Sequence, residues 1–157
     1  MSMEKEATIG LVQMGMTADK GKNMEKALKM ISEAANKGAK IVCLPELFNS
    51  VYFPQQEKVD AKSELAESIP GSTTETLSEA AKENSISLIG GSICERDGRK
   101  LFNTSLVFDE RGKIVCKYRK MHIPHDQEFY EQNYFEKGDL GYKVIKTNGV
   151  KVGVMIC

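Results

Sequence analysis

The sequence predicts an α/β protein in which parallel strands are covered by helices. Short apolar runs at residues 8–14 and 41–44 are bounded by polar residues, glycine or proline, as buried strands are. Between them, apolar side chains recur every three or four positions from Met24 to Ala35, which is the spacing of one helix face. A strand, a helix and a strand joined by short connections form a βαβ unit with parallel strands.

The rest of the chain continues this alternation. Gly38 marks the end of the first helix, and Ser72 with Glu75 forms a capping box that predicts the start of a second. Further strands are predicted at residues 85–93, 101–108, 113–118, 142–145 and 150–156. Residues 50–71 lack periodicity and indicate a surface loop, whereas residues 119–141 combine His, Pro, Glu and aromatic side chains and indicate a functional loop.

Length and charge restrict the class of protein. A chain of 157 residues is expected to form one domain with a hydrophobic core. Lys plus Arg and Asp plus Glu both number 22, which favours a small molecule or a second copy over nucleic acid as a partner. No apolar run approaches the roughly 20 residues that a bilayer requires, and residues 1–6 lack a secretory apolar stretch. We therefore expect a cytoplasmic protein without a membrane partner.

The cysteines and histidines do not predict a disulfide framework or a metal site. The four cysteines are widely spaced and are expected to be free thiols. His122 and His125 flank Pro124, which disfavours the helix that many metal motifs use. The glycines follow neither a dinucleotide-binding nor a P-loop pattern, so no phosphate-binding loop is predicted.

Three side chains could carry out chemistry at strand ends or in an adjacent loop. Glu46 follows the second predicted strand, where open α/β sheets place their ligands. Lys120 follows a later strand, and Cys157 ends the last one. Taken singly, a surface carboxylate, a solvated basic cluster and an inert strand thiol are the more ordinary interpretations. Taken together, they provide a base, an oxyanion-stabilising cation and a nucleophile.

The motifs around these residues are LPE at 44–46, YRKMH at 118–122 and VGVMIC at 152–157. In their order and spacing they resemble the nitrilase superfamily of carbon-nitrogen hydrolases, and the resemblance spans nearly the whole chain. Residues 52–55 and 122–139 are most similar to N-carbamoylputrescine amidases and N-carbamoyl amino acid amidases. Residues 69–72 and 90–93 are more similar to omega-amidases.

The resemblance implies a four-layer αββα sandwich and an amidase that acts on a small amide or N-carbamoyl compound. Cys157 would attack the carbonyl and form a thioester, Glu46 would transfer the proton to departing ammonia, and Lys120 would stabilise the oxyanion. Glu131 would orient Lys120 and the substrate, and Tyr52 would contact the substrate. The resemblance implies no metal or organic cofactor, and it implies a homo-oligomer.

The resemblance also implies that residues 1–157 supply about the first half of the sandwich, the N-terminal part of one carbon-nitrogen hydrolase domain. We therefore expect the 157-residue polypeptide by itself to be poorly folded and nearly inactive. A well-folded monomer that turns over substrate would refute this expectation. The alternative function is a non-catalytic fragment that serves binding or assembly. A redox thiol protein ranks third, since no Cys-x-x-Cys is present.

Overall fold

The computed structural model describes residues 6–58 and 65–157, which form a six-stranded mixed sheet, a separate two-stranded hairpin and two α-helices. The elements are, in chain order, β1 (Ile9–Leu11), α1 (Lys20–Asn36), β2 (Ile41–Cys43), α2 (Ser72–Glu83), β3 (Ser87–Ile89), β4 (Ile93–Asp97), β5 (Lys100–Phe108), β6 (Ile114–Arg119), β7 (Val144–Thr147) and β8 (Val150–Gly153). Short 3-10 turns lie at Phe53–Gln55 and Glu131–Asn133. The predicted α/β class is confirmed.

The sheet is parallel on one side and antiparallel on the other. β1, β2 and β3 are parallel neighbours, with Gly10 opposite Val42 and Val42 opposite Leu88. β5 runs antiparallel to β3 and β4 along one edge and to β6 along the other. The predicted βαβ unit is therefore confirmed. Its geometry brings the carboxyl ends of β2 and β3 to the same edge of the sheet.

Both helices contribute to one core against the sheet. Ala27 and Ile31 of α1 and Leu77 and Ala81 of α2 are buried in the same apolar cluster as side chains from β2, β3 and β5. This burial supplies the main driving force for the layer of helices on the sheet. On the opposite sheet face, Leu11 of β1 is 80% exposed.

The first helix begins and ends where local chemistry predicts. The Asp19 carboxylate accepts a hydrogen bond from the backbone N–H of Lys22 at 3.0 Å, which satisfies a free donor of the first turn. Gly38 follows the helix with φ of 95°, a conformation that glycine adopts without steric cost. The predicted stop at Gly38 is therefore confirmed.

Two local predictions are wrong. The run at 85–93 is two strands, because Gly91 takes φ of 56° and redirects the chain between β3 and β4. The capping box of Ser72 and Glu75 is absent; Gly71 precedes α2, and its backbone N–H donates to the Thr74 hydroxyl at 2.8 Å. Within the predicted loop 50–71, residues 59–64 lie outside the described residues. Among the helices that the structure describes, none combines the length and apolar character needed to cross a bilayer.

Candidate active site

Glu46 lies just beyond the carboxyl end of β2, in a segment held by the chain that follows β3. The backbone N–H of Leu47 donates to the Ser92 hydroxyl at 2.9 Å, and the backbone N–H of Ser92 donates to the carbonyl of Pro45 at 3.3 Å. Leu47 has φ of 48°, which non-glycine residues rarely adopt. These two hydrogen bonds, one on each side of Glu46, fix the direction of its side chain.

Gly91 makes this close approach of the two segments possible. Its φ is 56°, and a Cβ atom built at this position would overlap the carbonyl oxygen of Pro45. Only glycine combines a left-handed conformation with such close backbone contact. The Gly90-Gly91 pair therefore has a role in placing Glu46 as well as in ending β3.

Lys120 enters the site from the end of β6. Arg119 and Lys120 point to opposite faces of the sheet, as successive strand residues do. The backbone N–H of Lys120 donates to the carbonyl of Asn103 on β5 at 2.8 Å, and its carbonyl accepts from the N–H of Gly138 at 2.8 Å. β5 and the 138–139 segment thus hold the lysine backbone from two sides.

The Lys120 ammonium lies between two carboxylates. Its Nζ is 2.8 Å from Oε1 of Glu46 and 2.8 Å from Oε1 of Glu131. Lys120 and Glu131 are each only 1% exposed, whereas the Glu46 side chain is 32% exposed. Burial alone would lower the pKa of Lys120, but its hydrogen bonds and charge interactions with Glu131 and Glu46 outweigh this effect and raise it. The amine is therefore a fixed cation at neutral pH.

Glu131 is held by Tyr52 as well as by Lys120. The Tyr52 hydroxyl donates to Glu131 Oε1 at 2.6 Å. Burial, together with this hydrogen bond and the Glu131 charge, raises the pKa of Tyr52, so the phenol remains a hydrogen-bond donor. The second oxygen, Glu131 Oε2, is buried and has no partner among the described residues.

Cys157 lies in the same cavity as the other candidate site residues. A cavity of about 270 Å³ is lined by Pro124, Phe129 and all five residues that the sequence singled out, namely Glu46, Tyr52, Lys120, Glu131 and Cys157. Cys157 is exposed, so its thiol is accessible. β8 ends at Gly153 and not at residue 156, and an irregular segment carries the thiol to the cavity.

One contact of the site was not predicted as functional. Asn103, inside the long apolar strand β5, donates its side-chain N–H to Glu46 Oε1 at 2.7 Å. The signal in the sequence was the polar stretch Asn103-Thr104-Ser105 between apolar residues. The hydrogen-bond partner of Asn103 could not be inferred from the sequence, because the strand pattern does not show which loop reaches that face of the sheet.

The histidines remain outside this arrangement. His122 Nε2 is 3.1 Å from the Tyr142 hydroxyl, and neither His122 nor His125 lines the cavity that holds Cys157 and Lys120. Within residues 6–58 and 65–157, no group of three or more His, Cys, Asp or Glu side chains could hold a metal ion. The chemistry available from these residues is therefore that of a thiol, an ammonium and two carboxylates.

Comparison with known proteins gives one consistent result. The sequence model of the family "Carbon-nitrogen hydrolase" matches residues 8–157. Omega-amidase NIT2 of Xenopus tropicalis is 45% identical over 158 residues, which cover 95% of this chain and 54% of that protein. A carbon-nitrogen hydrolase from Helicobacter pylori G27 superposes with a TM-score of 0.88 at 32% identity, covering 96% of this chain and 52% of that one.

A further crystal structure extends the comparison to a named superfamily. Nit3 of Saccharomyces cerevisiae, a member of branch 10 of the nitrilase superfamily, has a TM-score of 0.81 and 35% identity, covering 96% of this chain and 55% of that one. The chain spans about half the length of the curated relatives it matches. The predicted superfamily and its fold are confirmed, with similarity to the omega-amidase branch.

Proposed function

Because this chain belongs to the carbon-nitrogen hydrolase family, we propose that it hydrolyses the carbon-nitrogen bond of a small amide or N-carbamoyl compound and releases ammonia. The observation that carries the proposal is the cavity in which Lys120 Nζ lies 2.8 Å from both Glu46 and Glu131, beside the thiol of Cys157. A thiol needs a neighbouring base or cation to act as a nucleophile, and this cavity supplies both.

In the first half of the reaction, Glu46 accepts the thiol proton as Sγ of Cys157 attacks the carbonyl carbon. The proton transfer moves one negative charge from the carboxylate to the sulfur, so the net charge around Lys120 is unchanged. The tetrahedral intermediate collapses, the carbon-nitrogen bond breaks, and Glu46 returns the proton to the leaving nitrogen. Ammonia departs and a thioester remains on Cys157.

Lys120 stabilises the oxyanion of this intermediate. An ammonium has three N–H donors. Two are directed at Glu46 and Glu131, which leaves one for the developing negative charge on the carbonyl oxygen. The two carboxylates also hold the amine in place, so it does not have to reorganise during the reaction.

In the second half, water attacks the thioester with Glu46 as the general base. The carbon-sulfur bond breaks, the thiol is regenerated and a carboxylic acid, or the carbamic acid of a carbamoyl substrate, leaves the site. No redox step or external proton donor is needed. The Glu46 carboxylate acts in both halves of the reaction, because it is the general base at the start of each half.

A carboxylate that lines the cavity favours a substrate with N–H donors, such as a primary amide or carbamoyl group. This carboxylate belongs to Glu131, and Tyr52 holds it in place through Oε1. The similarity to omega-amidases favours a primary amide over an N-carbamoyl compound.

Ammonia release by a full-length form of the protein, from a panel of primary amides and N-carbamoyl compounds, tests this function. Cys157→Ala should abolish release, and Cys116→Ala, which removes a buried thiol on β6, should leave it unchanged. Mass mapping after brief iodoacetamide treatment should show Cys157 alkylated first. Activity retained in Cys157→Ala would exclude the proposed mechanism.

We propose in addition that the protein works in the cytoplasm as a homo-oligomer. Its four cysteines are free, which suits a reducing compartment. The exposure of Leu11 on the sheet face indicates a surface that contact with a second copy could cover. Light scattering on the purified protein tests the oligomer, and a monomer at all concentrations would exclude it.

A further inference from the structure

A buried amide holds the carboxylate that serves as the base. Asn103 Nδ2 is 2.7 Å from Glu46 Oε1, and Lys120 Nζ is 2.8 Å from the same oxygen. Asn103 is fully buried. Oε1 therefore receives two donors, as many as it has lone pairs. None of the described residues donates to Oε2 of Glu46, so this oxygen is the one available for proton transfer.

Asn103 also holds the backbone of Lys120. The backbone carbonyl of Asn103 accepts a hydrogen bond from the backbone N–H of Lys120 at 2.8 Å. Asn103 thus contacts the base through its side chain and the cation through its main chain. Its own side-chain oxygen, Oδ1, is buried without a partner among the described residues.

The orientation of the Asn103 amide is determined by chemistry. Rotating the amide by half a turn would place its carbonyl oxygen against the Glu46 carboxylate, two acceptors without a proton between them. An amide retained in the middle of a buried strand with one oxygen unsatisfied is unfavourable for stability alone. A role in the site accounts for it.

We propose that Asn103 is a positioning residue for the reaction inferred above, holding Glu46 so that only Oε2 exchanges protons with Cys157. This rests on the proposed function. Asn103 does not line the cavity that holds Cys157, so it acts through Glu46 and not on the substrate. Changes at Asn103 should therefore reduce kcat and alter the pH dependence, and they should leave KM nearly constant.

Two substitutions at Asn103 distinguish the loss of the hydrogen-bond donor from the addition of a negative charge. Asn103→Leu removes the donor at similar volume, and Asn103→Asp places a second carboxylate against Glu46. Asn49→Asp is the matched control, because Asn49 is also buried and donates to a glutamate, Glu67, at 3.3 Å outside the cavity. All three proteins are compared with wild type by thermal melting, by kcat and KM, and by the pH dependence of turnover.

We expect kcat to fall about 100-fold in Asn103→Asp and about 10-fold in Asn103→Leu, with KM within about twofold of wild type. The acidic limb of the pH-rate profile should move to higher pH by about one unit in Asn103→Asp, since a like charge opposes ionisation of the base, and by less in Asn103→Leu. Lys120, Glu131, Tyr52 and Cys157, which face Glu46 in the cavity, are unchanged in both variants. Asn49→Asp should keep the wild-type kcat and acidic limb.

A measurement without turnover separates this proposal from the proposed function. The pH dependence of iodoacetamide alkylation at Cys157 should shift in the Asn103 variants and not in Asn49→Asp. If wild type releases no ammonia yet this shift appears, the positioning role stands and the proposed reaction fails. If Asn103→Leu melts like wild type and matches it in kcat and in both pH profiles, the positioning role is excluded, whether or not Asn103→Asp folds.

Discussion

A single buried ammonium organises the site at the level of individual residues. Lys120 makes hydrogen bonds of equal length to Glu46 and Glu131, and it is almost completely removed from solvent. Taking the charges of Lys120 and Glu131 out of water is costly unless each is paired and hydrogen-bonded. Tyr52 and Asn103 supply the further donors that these carboxylates require. Removal of the central cation should therefore affect both stability and chemistry.

Lys120→Met is expected to lower the free energy of unfolding by about 3 kcal/mol at pH 8, because two neighbouring carboxylates lose the cation that they share. Turnover should fall about 1,000-fold or more, since the oxyanion loses its charged donor. Urea denaturation and ammonia release measure the two effects. Lys117→Met is the control; its side chain is 28% exposed and pairs with Glu95 away from the cavity.

The stability effect of Lys120 should depend on pH in a defined direction. The folded-state pKa of Lys120 is raised, so its contribution is fully present below the unfolded value of about 10.4 and is lost as pH rises through the folded value. The difference in unfolding free energy between wild type and Lys120→Met should be constant from about pH 8 to 9.5 and shrink above it. A difference that grows with pH across this window would contradict the ion-pair explanation.

At the level of secondary structure, the positions of the candidate catalytic side chains depend on how the ends of neighbouring strands contact each other. The segments after β2 and β3 interlock at Pro45, Gly91 and Ser92, and this contact directs Glu46. The ladder of β5 and β6 ends at Thr104 opposite Arg119, which places Lys120 just beyond it. A change at either junction should alter the site without touching a reactive side chain.

Gly91→Ala tests the first junction. The new Cβ would overlap the carbonyl oxygen of Pro45, and the residue would keep a left-handed φ of 56°. We expect a loss of about 3 kcal/mol in stability and about 100-fold in kcat as Glu46 is displaced. Thermal melts and kinetics measure both effects.

Gly98→Ala is the matched control for this substitution. Gly98 has a similar φ of 60° but no atom within 4 Å of an added Cβ. The Gly98→Ala variant should lose only the stability that comes from the backbone preference of glycine, about 1 to 2 kcal/mol, and it should keep the wild-type kcat. Equal kinetic effects of the two substitutions would show that the close contact at Gly91 does not position the base.

At the level of the whole molecule, the two faces of the sheet carry different kinds of polar cluster. Lys120 points to the cavity, and its neighbour Arg119 points to the other face, where it binds Glu95, Asp97 and Asp139. The Arg119 guanidinium also stacks 3.8 Å from the centroid of the Phe102 ring. This second cluster ties β4, β5, β6 and the 138–139 segment together, and it does not reach the cavity of Cys157.

Glu95→Gln should therefore reduce stability and leave kcat within about twofold of wild type, since the buried Arg119 loses its main partner. We expect a loss of about 3 kcal/mol at pH 7. Asp97→Asn is the control; its side chain is 62% exposed, so its ion pair should contribute less than about 1 kcal/mol. Denaturation and kinetic measurements on the two variants test whether the Arg119 cluster contributes to stability without affecting turnover.

The Glu95 effect should also vanish in acid. Burial alone would raise the pKa of Glu95, but hydrogen bonds from Arg119, Lys117 and Thr104 outweigh it and lower the pKa. A carboxylate with a lowered folded pKa contributes stability above its unfolded value of about 4.3, and this contribution disappears as pH falls through the folded value. Wild type and Glu95→Gln should therefore converge in stability at low pH; a gap that persists there would point to packing instead of charge.

Sequence pattern alone was sufficient to predict most of the local elements. The helix that ends at Gly38, the parallel pair β1 and β2, and the hairpins of β5 with β6 and β7 with β8 follow from periodicity and turn residues. Periodicity did not separate β3 from β4, because a left-handed glycine leaves no periodic signal. The capping residue of α2 was wrongly assigned to Ser72 instead of Gly71, since several neighbouring polar residues could cap the helix.

The arrangement of the site was decided by tertiary structure. Glu46 and Asn103 are 57 positions apart in sequence, and Glu46 and Lys120 are 74 apart, yet all three meet at one carboxylate oxygen. Periodicity reports which face of an element is apolar, whereas such contacts depend on how separate elements pack. The candidate residues were therefore predicted from their motifs, while the shared oxygen, the Asn103 donor and the unpaired Glu131 oxygen emerged only because packing brings distant parts of the chain together.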